Sequence, residues 1–450
     1  MFCLHNLRKL CAAIDAFAAT CIAACISKSR TKTDIVMFAD ASTQHPDNFP
    51  TISSCKAGVL KNREKQVDHL ASISSSQVKN SQCEPALVQI KAERDPEKLF
   101  LLFNKNAENR LVVENRYVFE DTISRLVGAH RFDLVEDLLE HQKKLRQGRR
   151  EGFIVRVIML YGRAKMPDHA LRTFEQMDLI GCRRTIKSFN ATLKVLSENM
   201  KFEEAQMLFN EGVSKFGIEL DQISYNIIIK VLCDMGSLDK AYLVMVEMEK
   251  KGQKPDVVTY TSLISAFYKH GRQEIGDGLW NFMLLKGCSP NLATFNVRIQ
   301  FLINRRRGWQ ANDFARKMAS TGIKPDELTY NLIIKGFCIM GELDMAKRIF
   351  FSMHGRGCMP NHRIYQTMIH YLCKGGEFDM AFRFCKDSMK KNWFPNIDTT
   401  QSLLKGLLKN SKDRSAREIV KLVKNKQPSY SVEELKAFQN ILFNGEFSKM

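Results

Sequence analysis

The chain has 450 residues, and its 68 Lys and Arg outnumber 49 Asp and Glu to leave a formal net charge of +19 with histidine neutral. Such an excess points to a polyanionic partner, either nucleic acid or an acidic membrane surface. Thirteen cysteines contain no Cys-x-x-Cys pair, which excludes a zinc ribbon or a thioredoxin-like motif.

Residues 1–33 carry Arg8, Lys9, Lys28, Arg30 and Lys32 against one acid, Asp15, around an Ala-rich stretch from Leu10 to Ile26. An acid-poor, basic leader of this kind predicts an organelle transit peptide. A membrane anchor fits less well, because Asp15 breaks an apolar run already near the minimum spanning length. A secretory signal would carry unpaired cysteines into an oxidising compartment. No membrane partner is therefore expected.

Residues 34–94 are expected to be a disordered linker, since 34–89 show no helical period and include Pro46, Pro50, Pro85 and the Ser-rich run 72–76. Leu99, Phe100, Leu102 and Phe103 then predict a short amphipathic helix in an N-terminal capping segment, 95–115.

From 116 to 425 the chain repeats every 35 or 36 residues, with starts at Arg116, Glu151, Ile186, Gln222, Val257, Leu292, Glu327, His362 and Ile397. Counting from each start, place 4 is aromatic (Tyr225, Tyr260, Phe295, Tyr330, Tyr365) and place 8 is Ile (Ile229, Ile264, Ile299, Ile334, Ile369). Place 20 is Ala at Ala241, Ala311, Ala346 and Ala381, and these units close on Pro-Asp or Pro-Asn. Apolar places 4, 7, 8 and 11 make one face of a leading helix. Glycine at place 15 (Gly236, Gly271, Gly341, Gly376) suits a left-handed helix end, and a second helix returns before the Pro-Asx turn. The expectation is an all-α solenoid of about nine helix-turn-helix units, closed by a C-terminal capping helix over 426–450 with a capping box at Ser431 and Glu434.

Cysteines fall in phase, at place 12 (Cys233, Cys338, Cys373) and place 32 (Cys182, Cys288, Cys358), as do methionines at place 27 (Met177, Met283, Met318, Met353). Both sets are expected to pack between helices, with no metal and no cofactor.

At 100° per residue, places 2, 5, 9 and 12 to 13 share the side of the leading helix opposite its apolar face. Place 5 reads Asn190, Asn226, Thr261, Asn296, Asn331, Gln366 and Gln401. One such residue could be a helix cap or solvated surface, but a column in phase suits the mixed donor and acceptor edge of a base. Lys194, Lys230, Lys335 and Lys405 at place 9, with Lys269 and Lys374 at place 13, are candidate phosphate contacts.

The unit Val257-Val-Thr-Tyr-Thr-Ser-Leu-Ile-Ser-Ala-Phe-Tyr-Lys-His-Gly-Arg272, closing Lys-Gly-Cys-Ser-Pro-Asn291, resembles the pentatricopeptide repeat, as do the openings Ser224–Lys230 and Leu328–Gly336. The tetratricopeptide repeat, which binds peptides, prefers a small residue at place 8 and Ala at place 27, where this chain has Ile or Leu and usually Met. Units of nearly equal length resemble the P class, a plant organellar type. That resemblance implies a right-handed superhelical solenoid that binds single-stranded RNA without catalysis, in mitochondria or alternatively chloroplasts. It also implies that place 5 and the last residue of the unit together read one base. Asn190 with Asp221, Asn226 with Asp256, and Asn296 with Asp326 resemble uracil readers. Thr261 with Asn291 resembles an adenine reader, and Asn331 with Asn361 a pyrimidine reader that more often takes cytosine. Gln366 with Asn396 falls outside the defined pairs. Place 2 would stack on the bases: Ile223, Val258 and Leu328 fit, Arg363 could stack through its guanidinium, and Lys187 and Ala293 depart from the aliphatic pattern. Glu120 and Val155, at place 5 of the first two units, read no base on this scheme. No histidine opens a His-x-Glu deaminase motif, and about 25 residues follow the last repeat, so a non-catalytic binder is expected. The alternative is a scaffold or subunit of an organellar ribosome or other complex, with ribosomal or RNA-processing proteins as partners.

Overall fold

The computed structural model describes residues 85–425 and 430–447, which hold twenty-two α-helices, one 3-10 helix and no strand. The expected leader and residues 34–84 of the expected linker lie outside the described residues. Contacts divide the chain into two compact units, the first ending at Leu220 and the second opening at Asp221.

In the first unit the expected linker is overturned at its end, because Pro85–Ala92 is helical. Ile90 on this helix is fully buried, and the Arg125 guanidinium donates to the carbonyls of Ile90 at 2.8 Å and Glu93 at 2.5 Å. A distant arginine therefore helps to hold this segment in place. The expected single capping helix is two, Pro96–Lys105 and Arg110–Glu114, capped by the side chains of Asp95 and Asn109. Three hairpins follow: Arg116–Gly128 with Phe132–Lys144, Glu151–Arg163 with Pro167–Glu175, and Ile186–Glu198 with Phe202–Phe216.

The second unit contains six hairpins. Their leading helices are Gln222–Asp234, Val257–Lys269, Leu292–Asn304, Glu327–Met340, His362–Lys374 and Ile397–Lys409. Their return helices are Leu238–Lys250, Gln273–Leu285, Gly308–Ser320, Leu343–Gly355, Phe378–Lys390 and Asp413–Asn425. Val432–Phe447 follows the last hairpin, with Phe438 fully buried and Glu434 and Ser431 bonded reciprocally.

Every one of the nine repeat starts is the first residue of a helix. The cause in the second unit is the residue before it: Asp221, Asp256, Asn291, Asp326, Asn361 and Asn396 are extended N-caps whose side chains accept a first-turn N–H. Each such cap is worth about 1 kcal/mol. Place 15 has positive φ in all nine repeats, as Gly236, Gly271, Gly341 and Gly376 but also as His130, Lys165, Met200, Arg306 and Ser411. Place 20 is a fully buried Ala in most repeats, and Gly276 stands there in the Val257 repeat because a Cβ would lie 2.5 Å from the Tyr268 ring.

The in-phase methionines Met177, Met248, Met283, Met318 and Met353 have no exposed surface. Cys233, Cys338 and Cys373 are buried too, and burial pushes each thiol up to about 12. Thiols held neutral in this way are packing groups rather than nucleophiles. Among the described residues no helix is long and apolar enough to cross a membrane.

Candidate nucleic-acid interface

Place 5 is not an open polar surface. Asn226, Thr261, Asn331 and Gln366 are half-buried and Asn296 is buried, because each lies under the N-terminus of the next leading helix. Asn226 donates through Nδ2 to Asp256 Oδ1 at 3.1 Å and accepts at Oδ1 from the Thr259 hydroxyl at 2.5 Å. Asn296 repeats the arrangement, with Asp326 Oδ1 at 3.4 Å and the Thr329 hydroxyl at 2.7 Å. The two residues expected to act as a pair are thus brought into hydrogen-bond contact, and the cap of one helix is also the partner of the preceding repeat. An amide carries two N–H donors and two lone pairs, so one of each stays available at both sites.

The other pairs meet differently. Thr261 shares a hydrogen bond of 2.7 Å with the Thr294 hydroxyl, which also bonds Asn291 Oδ1 at 3.0 Å. Asn331 Oδ1 accepts from Thr367 at 2.9 Å, while Asn361 donates to Glu327 at 2.9 Å. Gln366 accepts from the backbone N–H of Asn396 at 3.0 Å and donates to Thr399 at 2.9 Å. Asn190 belongs to the first unit, and Asp221 caps the first helix of the second.

Asp326 is the best-defined charge in the row. Burial pushes its carboxyl up, but hydrogen bonds from the Thr329 N–H, the Thr329 hydroxyl and the Asn296 amide outweigh that and hold it below its ordinary range. It is therefore anionic at neutral pH, with only Oδ1 engaged in these bonds.

At place 2, Ile223, Val258 and Leu328 are about half exposed although apolar, and Arg363 is exposed. A cleft of about 770 Å³ opens between the Val257 and Glu327 repeats, lined by Lys269, Ala293, Asn296, Asp326 and Leu328 among others. Its apolar lining includes Leu292, Ala293, Val297, Leu328 and Leu332. A pocket with apolar walls, three amides (Asn296, Gln300 and Asn304), one carboxylate and the cations Lys269 and Arg305 has the chemistry to hold a planar heterocycle beside a phosphate. Lys230, Lys269, Lys335 and Lys374 are exposed, and Lys194 is exposed with Glu198 at 3.8 Å.

In the first unit, Glu120 at place 5 is ion-paired to Arg163 at 2.7 Å, and Val155 has no polar group to offer. Sequence reasoning missed place 3, whose residues Thr259, Thr294, Thr329 and Thr399 join each cap to the preceding place 5. Its signal was present as hydroxyl residues recurring three positions after the caps of every leading helix of the second unit but that of the His362 repeat, where Ile364 stands.

The family model described as the PPR repeat family matches residues 220–269, 255–304, 293–339 and 361–409, and a second model, PPR repeat, matches 156–182 and 328–358. A mitochondrial pentatricopeptide repeat-containing protein of Arabidopsis thaliana is 55% identical over 240 residues, covering 53% of this chain and 58% of that protein. A small ribosomal subunit protein of Arabidopsis thaliana is 38% identical over 200 residues, 44% of this chain and 48% of that protein. The chain spans about half the length of the relatives it matches. Among solved structures, a maize pentatricopeptide repeat protein is similar at a TM-score of 0.48 and 18% identity, covering 80% of this chain and 60% of that one.

Proposed function

We propose that the chain is a member of the PPR repeat family, whose models match stretches between 156 and 409, and that it binds single-stranded RNA selectively, one base to a repeat, on organellar transcripts. The observation that carries this reading is the contact of Asn226 with Asp256 and of Asn296 with Asp326, the latter pair opening into a cleft that Leu328 and Lys269 also line. Aliphatic place 2 residues stack on bases, at roughly 1 to 3 kcal/mol per base. The exposed lysines neutralise the backbone. Read in order from Asn190 to Gln366, the pairs select 5'-U-U-A-U-(C/U)-N-3', with RNA running parallel to the chain. The protein acts by occupancy, protecting, remodelling or presenting a transcript for processing, splicing or translation, and it works in the mitochondrion, as relatives named mitochondrial support.

Selection from a randomised RNA pool tests this directly. A U-rich register with one central A is expected, and its failure to emerge refutes the assignment. Affinity should also fall with salt, by a slope of about 0.7 for each phosphate neutralised. A salt-independent complex would contradict the groove.

A second reading has one observation in its favour: three of the similar proteins are small ribosomal subunit proteins. On it the array is a stoichiometric part of a mitochondrial ribosome. Sedimentation with ribosomal subunits that persists after RNase treatment of free RNA separates the two.

A further inference from the structure

We propose that the buried hydroxyl at place 3 of a repeat is a positioning residue for the base read by the preceding repeat, locking the end of the place 5 amide that is turned to RNA. This inference rests on the RNA-reading function proposed above.

Thr259, Thr294 and Thr329 have no exposed surface and Thr399 has 1%. A buried hydroxyl must be satisfied, and it brings one proton and two lone pairs. At Thr259 the Asp256 N–H occupies a lone pair at 3.1 Å, which leaves the proton for an acceptor. Asn226 Oδ1 at 2.5 Å is nearer than Asp256 Oδ1 at 3.1 Å, so the proton goes across the repeat boundary. The Asp256 carboxylate can only accept, so the Asn226 NH₂ turns toward it. Carboxylate and hydroxyl together hold the amide in one orientation. The same three groups meet at Thr329, where the hydroxyl lies 2.7 Å from both Asn296 Oδ1 and Asp326 Oδ1 and the Asn296 NH₂ is 3.4 Å from that carboxylate oxygen.

Two other junctions show that the device is more than helix capping. Gln366 presents its amide the other way, Nε2 toward Thr399 and Oε1 toward the Asn396 N–H, and the same hydroxyl position now accepts. In the His362 repeat place 3 is Ile364, and there the Asn331 amide oxygen is held instead by Thr367. Asn226, Asn296, Asn331 and Gln366 thus each have a hydroxyl at their side, whichever repeat position supplies it.

The orientation matters because uracil offers an acceptor where cytosine offers a donor. A locked amide turns a fixed pattern to the base, and an amide free to rotate can serve either. Removing the hydroxyl should therefore cost selectivity before it costs affinity.

The test uses the full chain with Thr259→Val, nearly isosteric but without the donor, and two RNAs that differ only by U or C at the base facing the Gln222 repeat. The U-over-C preference should fall about tenfold, the worth of one ordinary hydrogen bond, while selectivity at the Leu292 repeat is unchanged. Thr259→Ser should restore it. Thr259→Cys, a weak donor of similar size, should lower the preference as Val does and serves if the Val chain melts early. Equal weakening on both RNAs, or an unchanged ratio, overturns the inference. A native chain that distinguishes no base at any position overturns the RNA-reading function instead.

Discussion

Asn226→Ala separates base reading from folding. The substitution removes two hydrogen bonds, to Asp256 at 3.1 Å and from Thr259 at 2.5 Å. Neither partner is orphaned: the Thr259 hydroxyl has Asp256 Oδ1 within 3.1 Å, and that oxygen keeps the N–H groups of Val258 and Thr259, both at 3.0 Å. Because no buried group is left unsatisfied, the stability loss should be no more than about 1 kcal/mol. Binding should suffer more, by roughly 1 to 2 kcal/mol or about 5- to 30-fold, since the amide is the group that meets the base. Fluorescence anisotropy with labelled RNA measures this, alongside thermal melting monitored by circular dichroism. The decisive arm uses an RNA lacking the base opposite the Gln222 repeat, on which native and variant chains should bind alike. If Asn226→Ala weakens binding equally with and without that base, the residue shapes the groove and does not read.

The turns give a prediction of opposite sign. Arg306 holds φ at 56° at place 15, where four repeats use glycine, so Arg306→Gly should raise stability by about 0.5 to 1 kcal/mol, seen as a higher urea midpoint. Gly406 closely approaches the preceding return helix: a Cβ there would fall 1.9 Å from the Phe378 ring, so Gly406→Ala should destabilise by about 1 to 3 kcal/mol in the same assay. Acid should unlock the caps. For Asp326 and Glu151, burial pushes the carboxyl up but hydrogen bonds outweigh it, from Thr329 and Asn296 at Asp326 and from Thr185 and Ser188 at Glu151, so both folded values are depressed. Their contribution is complete at neutral pH and is lost as pH falls below about 4 through the depressed values. A pH series of melting curves should therefore be flatter at the acid end for Asp326→Asn than for the native chain.

Much of the repeat was legible because its signals are local. Leading helices begin where an Asp or Asn can cap them, and turns need positive φ at one place, so both recur at the repeat period whatever lies far away. Even the five turns without glycine were in register, since packing of the flanking helices imposes the geometry on His130, Lys165, Met200, Arg306 and Ser411 at a cost in strain. The helix Pro85–Ala92 was hidden because its anchor is Arg125, more than thirty residues away.

For the candidate site, the sequence alone determined which columns face together: a 35-residue period and a 100° helical step put place 5, place 2 and the basic places on one side. Only the tertiary structure decided what those side chains spend their hydrogen bonds on. Stacking one repeat on the next sets a helix N-cap against the preceding amide, so that Asp256 and Asp326 serve as cap and partner at once, and Thr259 and Thr329 become fully buried between them. Burial is the physical reason: a hydroxyl or amide excluded from water must find a fixed partner, and which one it finds depends on the neighbouring repeat rather than on its own.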